Sequence, residues 1–248
     1  MKNARYLALW LLLILKVADA DAAYLMADLS TNEVFLNYNF KGQQITISGI
    51  SKGIDDILIT VEGPSRPYRA WQKESINDMW LSSTSFNITN APSYFFIASS
   101  AKRLQDITAP DTLEKLGVRY PSEHYTISEH YTEARLENFK KNFQLYKQSI
   151  KLYPTKIEAV EMVAPNMFRT KFFVPEHATT GEYKVKIYAF TDHKLQKQLI
   201  LYFKAVKVGL YASIDEISRT MPMLYALSAI AIALIISAIA GLIFRKHA

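Results

Sequence analysis

The chain ends in a long uncharged segment, and this segment constrains the fold more than any other feature. Residues 221–244 contain no Asp, Glu, Lys or Arg, and Arg245 and Lys246 follow at once. An α-helix of this length is roughly 36 Å long, which exceeds the hydrocarbon core of a bilayer at about 30 Å. A core helix of a soluble protein would usually show a polar face, and this segment has none. We therefore predict a transmembrane helix over residues 221–244 and a short tail over residues 245–248.

The first 20 residues have the pattern of a signal peptide. Lys2 and Arg5 precede an apolar block at residues 6–15, and small residues follow it. These small residues form two overlapping Ala-x-Ala sites, which predict cleavage after Ala20 or Ala22. An apolar block of about ten residues is too short to span a bilayer. The segment is thus a signal peptide that is cleaved or retained as a signal anchor.

The charges beside the C-terminal segment predict its orientation. Positive charge favours the cytoplasmic side, so Arg245 and Lys246 place the tail inside and the bulk of the chain outside. The chain has no cysteine, so an exported domain cannot depend on disulfides, which suits a bacterial periplasm better than a eukaryotic cell surface. We predict a single-pass type I protein of a bacterial inner membrane, embedded in the lipid bilayer, with most of its chain in the periplasm.

Net charge and apolar content indicate what kind of protein the exported part is. The formal net charge is +6, but five basic residues and one acidic residue lie outside residues 21–219, which leaves +2 for that part. So small an excess does not indicate a nucleic-acid partner. Half of the chain is apolar, and about 200 exported residues can build a sizeable core. The exported part is therefore expected to be globular.

Two regions have the pattern of β-strands. Residues 44–49 alternate polar and apolar side chains, and residues 56–62 form a β-branched run that a Gly-Pro turn closes. Further along, residues 183, 185 and 187 would share one strand face, with two lysines on the other. We predict a mainly β fold made of one or two immunoglobulin-like β-sandwich domains with an inserted amphipathic helix. The predicted boundaries are 21–105 for the first β-sandwich region, 106–155 for a loop and the helix, 156–208 for the second β region, and 209–220 for a juxtamembrane linker.

A helical stripe separates the two β regions. Its apolar positions recur at alternating spacings of three and four: Leu136, Phe139, Phe143, Tyr146, Ile150 and Tyr153. This spacing predicts an amphipathic helix with a buried stripe, capped by Ser128 or Thr132 and ended by Pro154. The predicted outer face carries four lysines: Lys140, Lys141, Lys147 and Lys151. A solvated face is the favoured interpretation, and a contact with anionic lipid or an acidic partner is the alternative.

Candidate chemistry is sparse. A repeated Ser-Glu-His-Tyr-Thr sequence places His124 and His130 six residues apart, on one side of an extended segment, where they could share a metal ion. A duplicated surface loop is the simpler interpretation, so no metal site and no cofactor is predicted. The sequence contains no zinc-protease, nucleophile-elbow, P-loop or dinucleotide-binding motif, and no thiol. It predicts no catalytic residues and a protein that is not an enzyme.

The C-terminal segment carries a line of small residues. Ala229, Ala233, Ser237 and Gly241 are four residues apart and share one side of the helix. Small side chains let two helix backbones approach closely in lipid. The stripe indicates a partner helix, although small residues are also frequent in single spans.

Short motifs in a fixed order carry a resemblance. They include Ile45-x-Ile47-x-Gly49, Val61-x-Gly63-Pro64, Pro92-Ser93-Tyr94-Phe95, Phe172-Phe173-Val174-Pro175 and Gly181-x-Tyr183-x-Val185. In this order the chain resembles an alphaproteobacterial family of transmembrane proteins of unknown function. The resemblance spans nearly the whole chain and implies an exported domain, one C-terminal span and no assigned activity. It also implies, more loosely, a link in gene order with sulfite-exporter-type permeases.

These features predict a non-enzymatic membrane protein whose exported domain binds another inner-membrane or periplasmic protein, with a permease as one possible partner. A membrane-tethered receptor for a ligand or a metal is the alternative. A periplasmic hydrolase is a third, and a deep polar pocket would be its signature.

Overall fold

The computed structural model describes residues 23–76, 79–118, 126–127 and 132–245. The predicted signal peptide lies outside these ranges. The described chain is mainly β, as predicted. Its strands are β1 (Tyr24–Leu29), β2 (Glu33–Leu36), β3 (Gln43–Lys52), β4 (Asp56–Glu62), β5 (Ser65–Ile76), β6 (Met79–Pro92), β7 (Phe95–Ser99), β8 (Thr126–Ile127), β9 (Glu158–Ala159), β10 (Glu161–Ala164), β11 (Met167–Val174), β12 (Gly181–Thr191) and β13 (Lys194–Lys207). Its α-helices are α1 (Pro110–Lys115), α2 (Glu133–Ser149), α3 (Leu210–Thr220) and α4 (Pro222–Arg245).

Two sheets form the main body. The first has the strand order β1-β3-β11-β10, and the second has the order β2-β13-β12-β4-β7-β9. Strand β3 pairs with β11 and β4 pairs with β12, so each sheet contains strands from both predicted β regions. The two regions therefore interleave in one pair of sheets. This pairing answers the question, left open by the sequence, of whether one sandwich or two would form.

The core lies between the two sheets. Strand β11 alternates exposed and buried positions, and its inward side chain Phe172 lies 5.7 Å from the ring of Phe203 on the opposite sheet. Strand β12 buries Tyr183, Val185 and Ile187 completely, as their spacing predicted. Alternation with a period of two thus places one face of each strand in a shared apolar interior.

Tyr183 closes a corner of the sandwich. Its hydroxyl donates a 2.8 Å hydrogen bond to the carbonyl of Thr179, four residues upstream. Burial raises the pKa of Tyr183 to about 12, so the phenol remains a donor. A tyrosine that bonds back in this way at the start of a late strand is a feature of immunoglobulin-like sandwiches. The corner, together with the parallel pairing of β2 with β13, is consistent with the predicted fold class.

A long hairpin with its own small core projects from the sandwich. Strands β5 and β6 pair along their length, and β8 adds a short third strand. Helix α2 covers this sheet, with the rings of Phe139 and Phe86 stacked at 3.9 Å. Phe143 and Ile88 complete the contact. The helix is therefore inserted as predicted, and it packs on a separate sheet.

The orientation of α2 differs from the prediction. Tyr146, predicted to be buried, is 59% exposed, whereas Lys147, predicted on the solvated face, is only 2% exposed. The buried positions of the helix are Phe139, Phe143 and Lys147, which are four residues apart. The contact thus follows a single row of i, i+4 side chains. The last two apolar positions of the predicted stripe, Ile150 and Tyr153, lie beyond the end of the helix.

The ends of α2 also differ from the prediction. Thr132 occupies the N-cap position without a capping side-chain hydrogen bond, and Ser128 lies outside the described residues. The helix ends well before Pro154, in a Schellman motif. The amide of Leu152 donates to the carbonyl of Lys147, and that of Lys151 donates to Gln148. Lys151 has the positive φ of 59° that this motif requires at its C′ position.

A glycine at position 151 should stabilise the fold. A left-handed conformation costs a non-glycine residue about 1–2 kcal/mol, and glycine avoids this cost. Glycine also makes the unfolded chain more flexible, which offsets part of the stabilisation. We expect Lys151→Gly to raise the free energy of unfolding by about 0.5–1 kcal/mol. Thermal unfolding of the full chain in detergent measures it, with Lys151→Ala as the control. A lower melting temperature for the glycine variant than for the alanine variant would contradict the motif.

Two helices end the chain. Residues 210–220, predicted as a linker, form helix α3. In the described part of the chain, α4 is the one helix long and apolar enough to cross a membrane, with a mean hydropathy of 2.4 over Pro222–Gly241. None of that stretch is buried against the rest of the chain. Helix α4 is therefore a candidate transmembrane span, as the sequence predicted.

Candidate functional site

A cavity of about 320 Å³ lies where α2 meets the sandwich. Its lining comes from α2, from strand β5, from the segment after the helix and from the loop between β11 and β12. The residues are Tyr68, Phe143, Tyr146, Lys147, Ile150, Leu152, His177 and Thr179. The cavity thus lies between the inserted sheet and helix on one side and the main body on the other.

Lys147 is the unusual member of this lining. Its ammonium nitrogen lies 4.0 Å from the ring centre of Tyr68, 5.4 Å from that of Phe143 and 5.6 Å from that of Tyr153. Among the described residues no carboxylate pairs with it. Burial lowers the pKa of Lys147 to about 8. The ring faces attract the cation, yet a buried ammonium without an anion remains costly.

Hydrogen bonds fix the walls of the cavity. Tyr183 holds the carbonyl of Thr179, and the guanidinium of Arg66 donates to the carbonyl of Thr180 at 3.0 Å. On the other side, the hydroxyl of Tyr153 donates to the carbonyl of Pro92 at 2.8 Å. These hydrogen bonds thus hold the backbone at Thr179 and beside the cavity.

A second, more basic cavity adjoins the first. It measures about 450 Å³ and shares His177 and Thr179 with the Lys147 cavity. Its cationic lining residues come from the β2–β3 loop, from β5, from β13 and from helix α3: Lys41, Arg66, Lys207 and Arg219. Glu176 is the acidic residue in its described lining. The described lining of this cavity thus has more basic than acidic side chains, which favours anions.

An exposed apolar row crosses the outer face of the four-stranded sheet. Met26 on β1 pairs with Ile50 on β3, which pairs in turn with Met167 on β11. These side chains are 59%, 43% and 45% exposed, although they alternate with core positions. We call Met26, Ile50 and Met167 the apolar row.

A polar row borders the apolar row on one side. Asp28, Ser48, Arg169 and Glu161 are paired across the same four strands, and Arg169 lies 3.5 Å from Glu161. An apolar centre beside charged residues is the usual composition of a protein–protein contact.

The predicted small-residue stripe lies on α4. Ala229, Ala233, Ser237 and Gly241 are all exposed, and a β-carbon added at Gly241 would meet no atom within 4 Å. In the described residues this side of the helix is therefore not covered by the rest of the chain.

The other sequence-predicted residues are not brought together at one site. His124 and His130 lie outside the described residues, and within the described ranges no group of three metal-ligating side chains is assembled. Lys141 and Lys151 are exposed on the surface, and Lys140 is half-buried. Lys147 is the one lysine of the predicted basic face that lies in the interior.

Sequence reasoning missed the burial of Lys147. The signal that could have found it is its spacing, since it follows Phe139 and Phe143 in steps of four. A lysine at that position extends the buried row of the helix. Tyr68 and His177 come from distant segments and carry no such signal.

Comparison with known proteins identifies a family. The family model described as "Putative transmembrane protein (Alph_Pro_TM)" matches residues 24–246. A search of curated proteins finds no match. Among solved structures, a chain from "Structural basis of T cell specificity and activation by the bacterial superantigen toxic shock syndrome toxin-1" aligns at 7% identity with a TM-score of 0.28. That alignment covers 75% of this chain and 100% of the other, and its low score supports no conclusion about fold or function.

Proposed function

We propose, since the chain belongs to the Alph_Pro_TM family of transmembrane proteins, that it is a non-enzymatic, single-pass protein that binds another envelope protein through its β-sandwich. Its place is a bacterial inner membrane, with the sandwich in the periplasm and the basic tail in the cytoplasm. The observation that carries the proposal is the apolar row on the outer sheet face.

The apolar row is costly unless something covers it. Three large side chains in register expose apolar surface across β1, β3 and β11, and β1 is the edge strand of this sheet. Exposed apolar patches bordered by charge mark interaction surfaces in soluble domains. The partner that fits is a protein with a complementary apolar strip and a charged rim that meets Asp28 and Arg169.

The anchor supports a partner in the same bilayer. The small-residue side of α4 permits close approach of another transmembrane helix, and association in lipid relies on such packing. A permease that contacts both the sandwich and the anchor would cover both the apolar row and the small-residue side of α4. The protein would then act as an accessory subunit of that permease.

Affinity capture tests the proposal with matched variants. Full-length protein with a C-terminal tag is isolated from its native membrane in mild detergent, and co-purifying proteins are quantified by mass spectrometry. We expect one membrane protein at near-stoichiometric yield, and we expect Ile50→Lys to reduce that yield about tenfold or more, because it places a charge in the buried centre of the contact. Gln44→Lys, on the same face of β3 but away from the apolar row, should leave the yield unchanged.

The anchor is tested in the same way. Ala233→Leu with Gly241→Leu fills the small-residue side and should weaken capture, whereas Ile235→Leu with Ile239→Leu changes the opposite side and should not. Recovery of the tagged chain alone, or equal recovery of the partner with Ile50→Lys and Gln44→Lys, would overturn the proposal.

A further inference from the structure

We propose that the cavity around Lys147 is a binding site for a small carboxylate ligand with an apolar, ring-sized body. The inference is separate from partner binding, because it concerns different residues and a different kind of ligand. The juxtaposition that carries it is one buried ammonium group among three aromatic rings at the base of a pre-formed cavity.

The charge of Lys147 lacks an anion. The side chain is 2% exposed and touches the rings of Tyr68, Phe143 and Tyr153, and no described carboxylate neutralises it. Buried charges in proteins are normally paired or ligate an ion. A bound carboxylate would supply the missing partner through a charge-assisted hydrogen bond.

The cavity has a closed base and an open rim. At the base, Phe143, Lys147 and Leu152 are each less than a tenth exposed. At the rim, Tyr146 is 59% exposed and the side chain of His177 is 57% exposed. A ligand can therefore enter from solvent with its anionic group first and reach Lys147.

The lining selects the class of ligand. One ammonium matches the single negative charge of a carboxylate. Tyr68, Phe143 and Ile150 offer apolar faces to the body of the ligand. The volume of about 320 Å³ lies at the lower end of small-molecule sites, so it suits a compact ligand.

The surrounding field assists the approach of an anion. The neighbouring basic cavity, which Arg66 lines, places positive charge beside this one. Such a field raises the local concentration of anions near the mouth. It does not by itself hold a ligand in place, which is the role assigned to Lys147.

Calorimetry on the intact protein tests the site. Full-length protein in detergent micelles is titrated with phenylacetate and with phenylacetamide, which has a similar shape but no charge. We expect saturable binding of phenylacetate and at least about tenfold weaker binding of phenylacetamide. Lys147→Met should weaken phenylacetate binding to the same degree, and Lys141→Met, a change at an exposed lysine of the same helix, should not.

The pH dependence gives a second readout. Phenylacetate affinity should fall as pH rises above about 8, where Lys147 loses its proton. Other titratable groups line the cavity or lie near the ammonium: Tyr68 on β5, Tyr146 on α2, Tyr153 after the helix and His177 in the β11–β12 loop, with Arg66 in the adjoining cavity. His177→Gln separates the contribution of the imidazole. No saturable binding of phenylacetate, equal binding of phenylacetamide, or unchanged binding by a folded Lys147→Met variant would each overturn the proposal.

Discussion

Replacing Phe139 by alanine should strongly destabilise the packing of helix α2 on the inserted sheet. The loss expected for a buried phenylalanine is about 3–5 kcal/mol. The satellite core contains few buried side chains, and the ring of Phe139 stacks on Phe86 and lies 6.0 Å from Phe143. Removing it leaves a cavity that the few other buried side chains of this small core cannot fill. We expect α2 to detach locally at temperatures where the sandwich is still folded.

Limited proteolysis and thermal unfolding measure this effect on the full chain in detergent. Phe139→Ala should expose cleavage sites between residues 132 and 150 and lower the first unfolding transition. Leu145→Ala is the matched control, because Leu145 lies on the same helix and is 53% exposed. If both variants behave alike, the packing of α2 on the hairpin is wrong, and the Lys147 cavity, which depends on that packing, is wrong with it.

The sequence was sufficient to predict the strands of the sandwich. Residues 44–49 and 181–188 follow a period of two, residues 56–62 form a β-branched run, and each of the three lies within a strand of the structure. Local alternation records which face of a strand is buried, so these predictions needed no knowledge of the partner strands. The C-terminal helix was equally accessible, since an uncharged run of this length has few alternatives.

Strand partners and side-chain environments could not be predicted in this way. The pairing of β3 with β11 joins segments more than a hundred residues apart, and no local pattern reports it. The long hairpin between β4 and β7 forms a separate sheet with β8. The aromatic residues of this region predicted strands but did not indicate that these strands lie outside the sandwich. Lys147 was assigned to solvent because of its charge, yet its position in a row of i, i+4 residues decides its burial. The candidate site therefore depends on tertiary contacts, which cannot be predicted from residue type alone.

Replacing Lys147 by methionine should make the folded protein more stable. The ammonium is buried without an anion, and methionine retains a flexible apolar stem of similar length among the same rings. Ring contacts recover part of the cost of burying the charge. Replacement of buried charge by an apolar side chain of similar volume is often stabilising, and we expect a gain on the order of 1–3 kcal/mol at pH 7. A lysine kept at such a cost is typical of a functional position.

The gain should depend on pH in one direction. Lysine in the unfolded chain has a pKa of 10.5, and burial lowers the pKa of Lys147 to about 8. Between these values the unfolded chain carries the additional proton, so the wild-type protein becomes more stable as pH rises. The advantage of Lys147→Met should therefore be greatest below pH 8 and should shrink by pH 9.5. Arg66, Tyr68, Tyr146 and His177 are present in both proteins, so the difference between the two unfolding curves isolates Lys147. A variant less stable than wild type at pH 7, or an advantage that grows with pH, would show that the ammonium is stabilised by a partner in the folded chain.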